Sequence, residues 1–410
     1  MRALRIGMIG IGVGGAEILP AMDSMDSIEL VAGADLVPAT LATFRARYPE
    51  ARTYPSAREL CEDADVDAVW IATPNRFHAE HAILAAEHGK HIVVEKPMAT
   101  TLADAARMVE AAERHGVKML AGHTRAFTTP IRALRRLIES GRYGGLRALN
   151  IWSYSDWMLR PRTPDELDVA QGGGIPFRQG PHQVDTVRLL GGGMLRSVRA
   201  QVGQWMPERP IPGYYSAFLE FENGVPATIA HNGYGYFVGA ELVPWGADKA
   251  IYDVDRRVAI RGAMRAGTRD EAREKQEIRI GGDREKEYFA SVSQAAWVPE
   301  DMGLAIASLD RADVRQSRHG LFIHDDAGKH DIEIAGGRET AVVQRRAELE
   351  ELYRAVVHGA PLWHDGRWGM ATLEVCLAMM QSARERREIM LAHQVPVPAG
   401  YDADMPIPKA

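Results

Sequence analysis

Apolar and polar positions along the chain follow two different grammars. Up to Ala121 the apolar residues come in short runs: Leu4, Ile6, Met8 and Ile9, then Ile28 to Ala34, Ala68 to Ala72, His91 to Val94, and Val117 to Ala121. Between them lie stretches with helical spacing: Ala16, Ile18, Leu19 and Met22, then Ala39 to Tyr48, Ser56 to Glu62, Ala79 to His88, and Leu102 to His115. Ser56 with Glu59 three residues on has the form of a helix N-cap. Short buried strands alternating with helices predict a parallel, doubly wound α/β sheet. Ligands of such sheets sit beyond the carboxyl ends of the strands. Thr73-Pro74-Asn75, Glu95-Lys96-Pro97 and His123-Thr124-Arg125 all fall at such ends.

Beyond Gly122 the pattern changes. Pro130 to Ser140 reads as an amphipathic helix and Leu146 to Tyr154 as a strand. A second helix, Gly180 to Leu190, is bracketed by Gly172-Gly173-Gly174 and Gly191-Gly192-Gly193. The runs Val198 to Val202, Tyr214 to Phe221 and Pro226 to His231 follow without intervening helices, which predicts a largely antiparallel sheet in an α+β domain. The expected organisation is a first domain over 1–124 and a second over 125–410. The charge-rich stretch 248–337 is expected to be an irregular insertion, and the helix 371–387 to pack back on the first domain. Prolines in the tail from Val395 predict an extended surface segment.

The junction after the first strand carries the first chemical signal. Gly10-Ile11-Gly12-Val13-Gly14-Gly15 links strand to helix, and the second strand ends on Asp35. That is the order of a dinucleotide-binding βαβ unit. Gly10 permits the tight turn, Gly12 lets the backbone approach a pyrophosphate, and Gly15 lets the helix lie close to the sheet. Val13 and Gly14 complete the turn at the helix start, where free N–H groups face phosphate. Asp35 suits a ribose 2′,3′-diol and repels a 2′-phosphate, so NAD is favoured over NADP; the competing role is a cap on the next helix.

Composition narrows the class. The chain has 410 residues, enough for two domains, with 46% hydrophobic and 25% charged residues and a formal net charge of -6. No basic footprint for nucleic acid or an anionic membrane is present, and no apolar run approaches the ~20 residues of a membrane span. Cys61 and Cys376 are the only cysteines, so a reducing compartment and a cytoplasmic protein are expected. Arg2 and Arg5 before an apolar run imitate a signal peptide, but that run is needed as the first strand. His78 and His81 are spaced i, i+3 without a carboxylate or cysteine to complete a set, so no metal site is expected. Trp152, Trp157, Trp297 and Trp368 could line a pocket for an aromatic ring or belong to the core.

Four motifs in this order resemble the glucose–fructose oxidoreductase / inositol dehydrogenase / MocA family. They are Gly10-x-Gly12-x-x-Gly15, Thr73-Pro74-Asn75 with His78, Glu95-Lys96-Pro97, and Gly172-Gly173-Gly174 followed by His182-x-x-Asp185. The resemblance implies a Rossmann domain followed by an α/β domain whose open sheet supports homo-oligomers. It implies NAD(P)-dependent oxidation of a carbinol in a small-molecule substrate, with Lys96, His182 and Asp185 at the reacting carbon. Cofactor contacts are implied for Thr73, Pro74, Asn75, His78, Glu95 and Lys96. His182 would take the hydroxyl proton, Lys96 would stabilise developing alkoxide, and Asp185 would orient the imidazole.

One position departs from the family pattern. Sugar- and inositol-oxidising members usually carry an acid four residues after the last glycine of the Gly-Gly-Gly run, and here that residue is Arg178. Arg125, Arg160 and Arg162 are candidates to join it. Guanidinium pairs bidentately with carboxylate, which points to an acidic substrate. The stretch Phe177 to Gln183 and the tail from Val395 to Pro408 are similar to phthalate 4,5-cis-dihydrodiol dehydrogenases. The alternatives are a sugar or inositol dehydrogenase and a non-catalytic dinucleotide sensor; for Arg178, the alternative is a salt bridge to an acid such as Asp165.

Overall fold

A computed structural model of the chain describes residues 2–122, 124–245, 254–286, 299, 302–334 and 341–408. His123 and Trp297 lie outside these residues. Two compact units result. The first comprises Met1–His123, Glu271–Ser293 and Thr340–Leu373; the second comprises Thr124–Asp270, Gln294–Glu339 and Glu374–Ala410. Segments well beyond residue 124 therefore return to the first unit. The helix expected at 371–387 runs Gly366–Glu385, and the partition divides it between the units after Leu373.

The first unit is a six-stranded parallel sheet. Its strands are β1 (Leu4–Ile9), β2 (Ile28–Ala34), β3 (Arg52–Tyr54), β4 (Ala68–Ile71), β5 (His91–Glu95) and β6 (Met119–Gly122). Their order, β3-β2-β1-β4-β5-β6, is that of a Rossmann sheet and reverses direction between β1 and β4. Every residue of β4 is buried, as a central strand covered on both faces requires. Ser56 caps helix Ala57–Glu62 by accepting from the Glu59 N–H at 3.2 Å. The core under β1 joins Leu4, Ile6, Met8, Leu19 and Met22 to Leu349, Leu352 and Tyr353 of helix Ala341–Val357.

The helical pattern after the glycines forms as two short pieces, Val13–Ala16 and Leu19–Met22, instead of one helix. Pro20 explains the break: it has no N–H to continue the ladder, and its ring would strike the carbonyl of Ala16.

The second unit holds a nine-stranded sheet. Its strands are β7 (Leu146–Tyr154), β8 (Leu195–Gly203), β9 (Tyr214–Phe221), β10 (Pro226–Asn232), β11 (Leu304–Leu309), β12 (Ala312–Gln316), β13 (Gly320–Asp325), β14 (Gly328–Glu333) and β15 (Ile389–Met390). The order is β14-β13-β12-β11-β7-β10-β9-β8-β15, and every pairing is antiparallel except β7 with β10. Within 248–337, expected to be an irregular insertion, residues 304–333 instead form β11 to β14, four strands of this sheet. Their alternating pattern is clear in Ala312–Gln316, where buried and outward residues alternate. Charged residues on the outward face had masked it. Among the described residues no helix is long and apolar enough to cross a membrane.

Helix Gly180–Gly191 is buried along its length from Gly180 to Leu190. Gln183 fastens it to the sheet by donating to the carbonyls of Ala230 (3.2 Å) and Met302 (2.9 Å), and it accepts from the Tyr215 hydroxyl. At the chain's end, Glu374 accepts from the backbone N–H groups of Ala392 and His393. Arg132, Arg136 and Arg142 hold Asp402, the Met405 carbonyl and the Pro408 carbonyl, so the extended tail is fastened to its own unit.

Candidate active site

In the first unit the strand ends meet at the topological switch point. Gly10 has φ of +89°, and a Cβ there would lie 3.0 Å from the backbone of Ala72, the residue after β4. Gly15 is tighter: a Cβ would lie 2.3 Å from the Gly10 carbonyl oxygen. Gly12 and Gly14, by contrast, have nothing within 4 Å of a Cβ position. The turn is thus closed on the sheet side and open on the other, which fits approach of a pyrophosphate to bare backbone.

Asp35 ties the glycine turn to the residue ahead of the next helix, whose N-cap, Val37, makes no side-chain capping bond. Its Oδ2 accepts from the Ile11 N–H of the glycine turn and its Oδ1 from the Val37 N–H ahead of helix Pro38–Arg47, both at 2.9 Å. An ionised carboxylate has about four acceptor sites, so capacity remains for a ribose diol.

Next along the sheet, the loops after β4 and β5 are joined by His78. Its imidazole is buried, with Nε2 2.8 Å from the Thr73 carbonyl and Nδ1 2.9 Å from the Pro97 carbonyl. The Thr73 hydroxyl lies 3.1 Å from His81 Nδ1, and burial pulls the His81 pKa down. Asn75 is buried in the turn Asn75–Phe77 beside Pro74. Lys96 follows β5 directly, is half-buried, and joins Pro97 through a cis peptide bond.

Glu95, the residue before it, pairs with an arginine that sequence reasoning missed. Arg345 on helix Ala341–Val357 is almost fully buried and lies 2.9 Å from Glu95, 3.0 Å from Glu348 and 3.7 Å from Glu17. Burial opposes the guanidinium's charge, but the three carboxylates outweigh it and hold its pKa above the ordinary value. Nothing near Arg345 in the sequence signals this contact.

In the second unit His182 and Asp185 share one face of helix Gly180–Gly191, both buried. Behind them lies Cys376, whose thiol is pushed up first by burial and then by the Asp185 charge.

The arginines form a second centre. Arg162 and Arg178 converge on one oxygen of Glu166, at 3.6 and 3.8 Å. The other Glu166 oxygen accepts from the backbone N–H and hydroxyl of Thr163, at 2.8 and 3.0 Å. The partner of Arg178 is therefore Glu166 in place of the suggested Asp165: Glu166 is buried and lies within 3.8 Å of the guanidinium, while Asp165 is only partly buried. The Arg162 guanidinium lies 3.6 Å from the centre of the Trp157 ring, which answers for that tryptophan. Trp368 is buried in the core and Trp152 is 44% exposed.

Burial lowers the Arg162 pKa; Glu166 opposes the shift, and the charges of Arg160, Arg178 and Arg209 add to it. Arg160 also lies 3.8 Å from Asp156. Arg209 carries no local sequence signal, yet it is buried and donates to the carbonyls of Met158 and Arg160. Arg125 stands on a separate turn, Thr124–Phe127, which packs against the His182 helix.

Known proteins match along most of this chain. A family model described as "Oxidoreductase family, NAD-binding Rossmann fold" matches residues 4–123, and the GFO/IDH/MocA C-terminal domain matches residues 131–237. A 1-carboxy-3-chloro-3,4-dihydroxycyclohexa-1,5-diene dehydrogenase of Comamonas testosteroni is 32% identical over 387 residues, 93% of this chain and 95% of the relative. Myo-inositol 2-dehydrogenase of Thermotoga maritima is 26% identical over 70% of this chain and 81% of its own. A crystal structure from Bordetella bronchiseptica RB50 superposes with a TM-score of 0.85 at 32% identity, covering 95% of this chain and 100% of that one. With its glycine turn at the switch point and its open nine-stranded sheet, the chain belongs to the glucose–fructose oxidoreductase / inositol dehydrogenase / MocA family and is a dehydrogenase with an NAD-binding Rossmann fold.

Proposed function

We propose that this enzyme oxidises a carbinol of a cyclic diol bearing a carboxylate, such as a phthalate cis-dihydrodiol, with NAD as acceptor. The observation that carries the reading is the arginine centre, in which Arg162 and Arg178 share one buried carboxylate while Arg160 and Arg209 stand beside them. Cations crowded so closely favour a ligand that brings its own negative charge, and a neutral polyol brings none. The name of the Comamonas relative, with a carboxyl and two hydroxyls on a ring, supports the same substrate class.

Nicotinamide, when bound, supplies the hydride acceptor. The chain's own residues supply the rest. Gly10, Gly12, Val13, Gly14 and Gly15 offer the backbone to the pyrophosphate, and Asp35 accepts from the ribose diol and disfavours a 2′-phosphate. Thr73, Pro74, Asn75 and Glu95 border the cofactor, and His78 holds the loops of Thr73 and Pro97 together. His182 takes the hydroxyl proton, Asp185 orients the imidazole and steadies its charged form, and Lys96 stabilises the developing alkoxide. Arg178, with Arg160 and Arg162, binds the carboxylate, and Arg125 adds a further cation. For a cis-dihydrodiol the ketone product enolises to a catechol, so aromatisation drives the oxidation forward.

A substrate panel tests this reading. NADH absorbance is followed with carboxylated cyclic diols, their carboxyl-free analogues, inositols and aldoses. Carboxylated diols should give the highest kcat/KM; a preference for inositols would replace this reading with that of an inositol dehydrogenase. We also propose self-association through the outward face of the nine-stranded sheet, where Trp152 and Phe218 are 44% and 46% exposed. Light scattering on the native protein and on Trp152→Ser with Phe218→Ser tests it.

A further inference from the structure

Helix Val254–Arg265 lies in the stretch whose role the sequence left open. Its buried positions are Arg257, Arg261 and Met264, one face at helical spacing. A docking face of this kind is normally apolar, yet two of these three residues are arginines. Arg261 donates to the Gly235 carbonyl at 2.9 Å and lies 4.4 Å from the centre of the Tyr236 ring. Arg265 donates to the Tyr236 hydroxyl at 3.0 Å. Four residues further, Arg269 donates to the Leu159 carbonyl at 2.7 Å. The helix thus packs against the turn Trp157–Leu159, which leads into Arg160 and Arg162.

That turn is held in an unusual way. Its carbonyls, and the next one, each accept from a guanidinium: Trp157 from Arg162 (2.8 Å), Met158 from Arg209 (3.0 Å), Leu159 from Arg269 (2.7 Å) and Arg160 from Arg209 (3.2 Å). Four successive peptide units are fixed in direction, so the side chains of Arg160 and Arg162 leave the backbone at set angles. Gly235 packs against the same segment, since a Cβ there would lie 3.0 Å from the Asp156 Cα.

We propose that helix Val254–Arg265 with Arg269 is a specificity clamp: it sets the backbone of residues 157–160 so that Arg160 and Arg162 meet the substrate's carboxylate already oriented. This inference rests on the acidic-substrate reading and assigns Arg269 as a positioning residue that touches no substrate. Rigid placement matters because a guanidinium fork must align both donors to hold a carboxylate bidentately.

The test is steady-state kinetics of the native protein, Arg269→Ala and Arg269→Lys on a carboxylated cyclic diol and its carboxyl-free analogue. The inhibition constant of benzoate serves as a simple carboxylate probe. Arg269→Ala should raise the KM for the carboxylated diol and the benzoate constant by about tenfold, the effect of one charge-assisted hydrogen bond. The analogue's KM should move less than about twofold by the same reasoning, with kcat and NAD affinity unchanged. Arg269→Lys should restore most of the loss, because the Leu159 carbonyl needs only one donor. If Arg269→Ala does not fold, Arg269→Gln carries the same comparison. A native preference for the carboxylated diol that survives in Arg269→Ala overturns the clamp alone, as does an equal rise on both substrates. A native enzyme without that preference overturns both the clamp and the substrate reading.

Discussion

The glycine turn after β1 and the arginine-held loop at 157–162 both gather positive potential, by opposite means. The turn contains no charged side chain from Gly10 to Gly15 and relies on bare N–H groups. The loop relies on guanidinium groups carried by residues as far apart as Arg162, Arg178, Arg209 and Arg269. The first device is local and depends on the absence of side chains, so a single added methyl would damage it. The second is dispersed, depends on charge, and can change one arginine at a time. The first suits a cofactor shared by a whole family, and the second suits a substrate that differs between members.

The largest expected effect concerns the groups proposed to act on the hydroxyl. Lys96→Ala and His182→Ala should each lower turnover by about two to four orders of magnitude while NAD affinity, followed by fluorescence titration, stays near native. Near-native turnover in either variant would remove that residue from the mechanism.

Next comes the charge-built region. Arg178→Gln should raise the KM for a carboxylated diol by a factor of about ten to a hundred and fifty, the equivalent of roughly 1.5–3 kcal/mol for a charge-assisted pair. Arg178→Lys should recover part of it, since ammonium lacks the fork. An equal slowing on carboxylated and carboxyl-free substrates would make the Arg178–Glu166 contact purely structural.

In the backbone-built region, Gly15→Ala should cost roughly 1–3 kcal/mol by forcing a methyl against the Gly10 carbonyl. The loss should appear as a lower denaturation midpoint together with weaker NAD binding. A midpoint and affinity both unchanged would show that the turn has slack. The smallest effect concerns cofactor choice: Asp35→Ser should narrow the preference for NAD over NADP by about tenfold, the worth of one charged hydrogen-bonding group. Tighter NADP binding by the native chain would overturn the assignment of Asp35.

The contrast also explains what the sequence disclosed. The turn, its flanking strands and the parallel, doubly wound character of the sheet follow from contiguous residues: Gly10 to Gly15, Asp35, and the apolar runs ending at Ile71 and Glu95. His182 and Asp185 could be paired because three residues on a helix share a face. Arg178 was visible through its place after three glycines, but its partner Glu166 was not, since a 3₁₀ turn with Thr163 decides which acid points inward. Arg209, Arg269 and Arg345 carry no periodicity or motif; their partners are set by tertiary packing alone. The strands β11 to β14 escaped notice because charged outward residues such as Asp313 and Arg315 diluted the apolar alternation.

The pairing of Arg345 with Glu95 has a consequence for how the protein is made. A ribosome releases the glycine turn and β1 to β6 early, whereas helix Ala341–Val357 emerges near the end of synthesis. Until then Glu95 and the apolar surface of Leu19 and Met22 wait for Arg345, Leu349 and Leu352. Domains whose segments are contiguous can fold as they leave the tunnel. Here the part of the molecule translated first is sealed only when a much later stretch of chain arrives, so the nascent chain carries an unfinished core through most of its elongation.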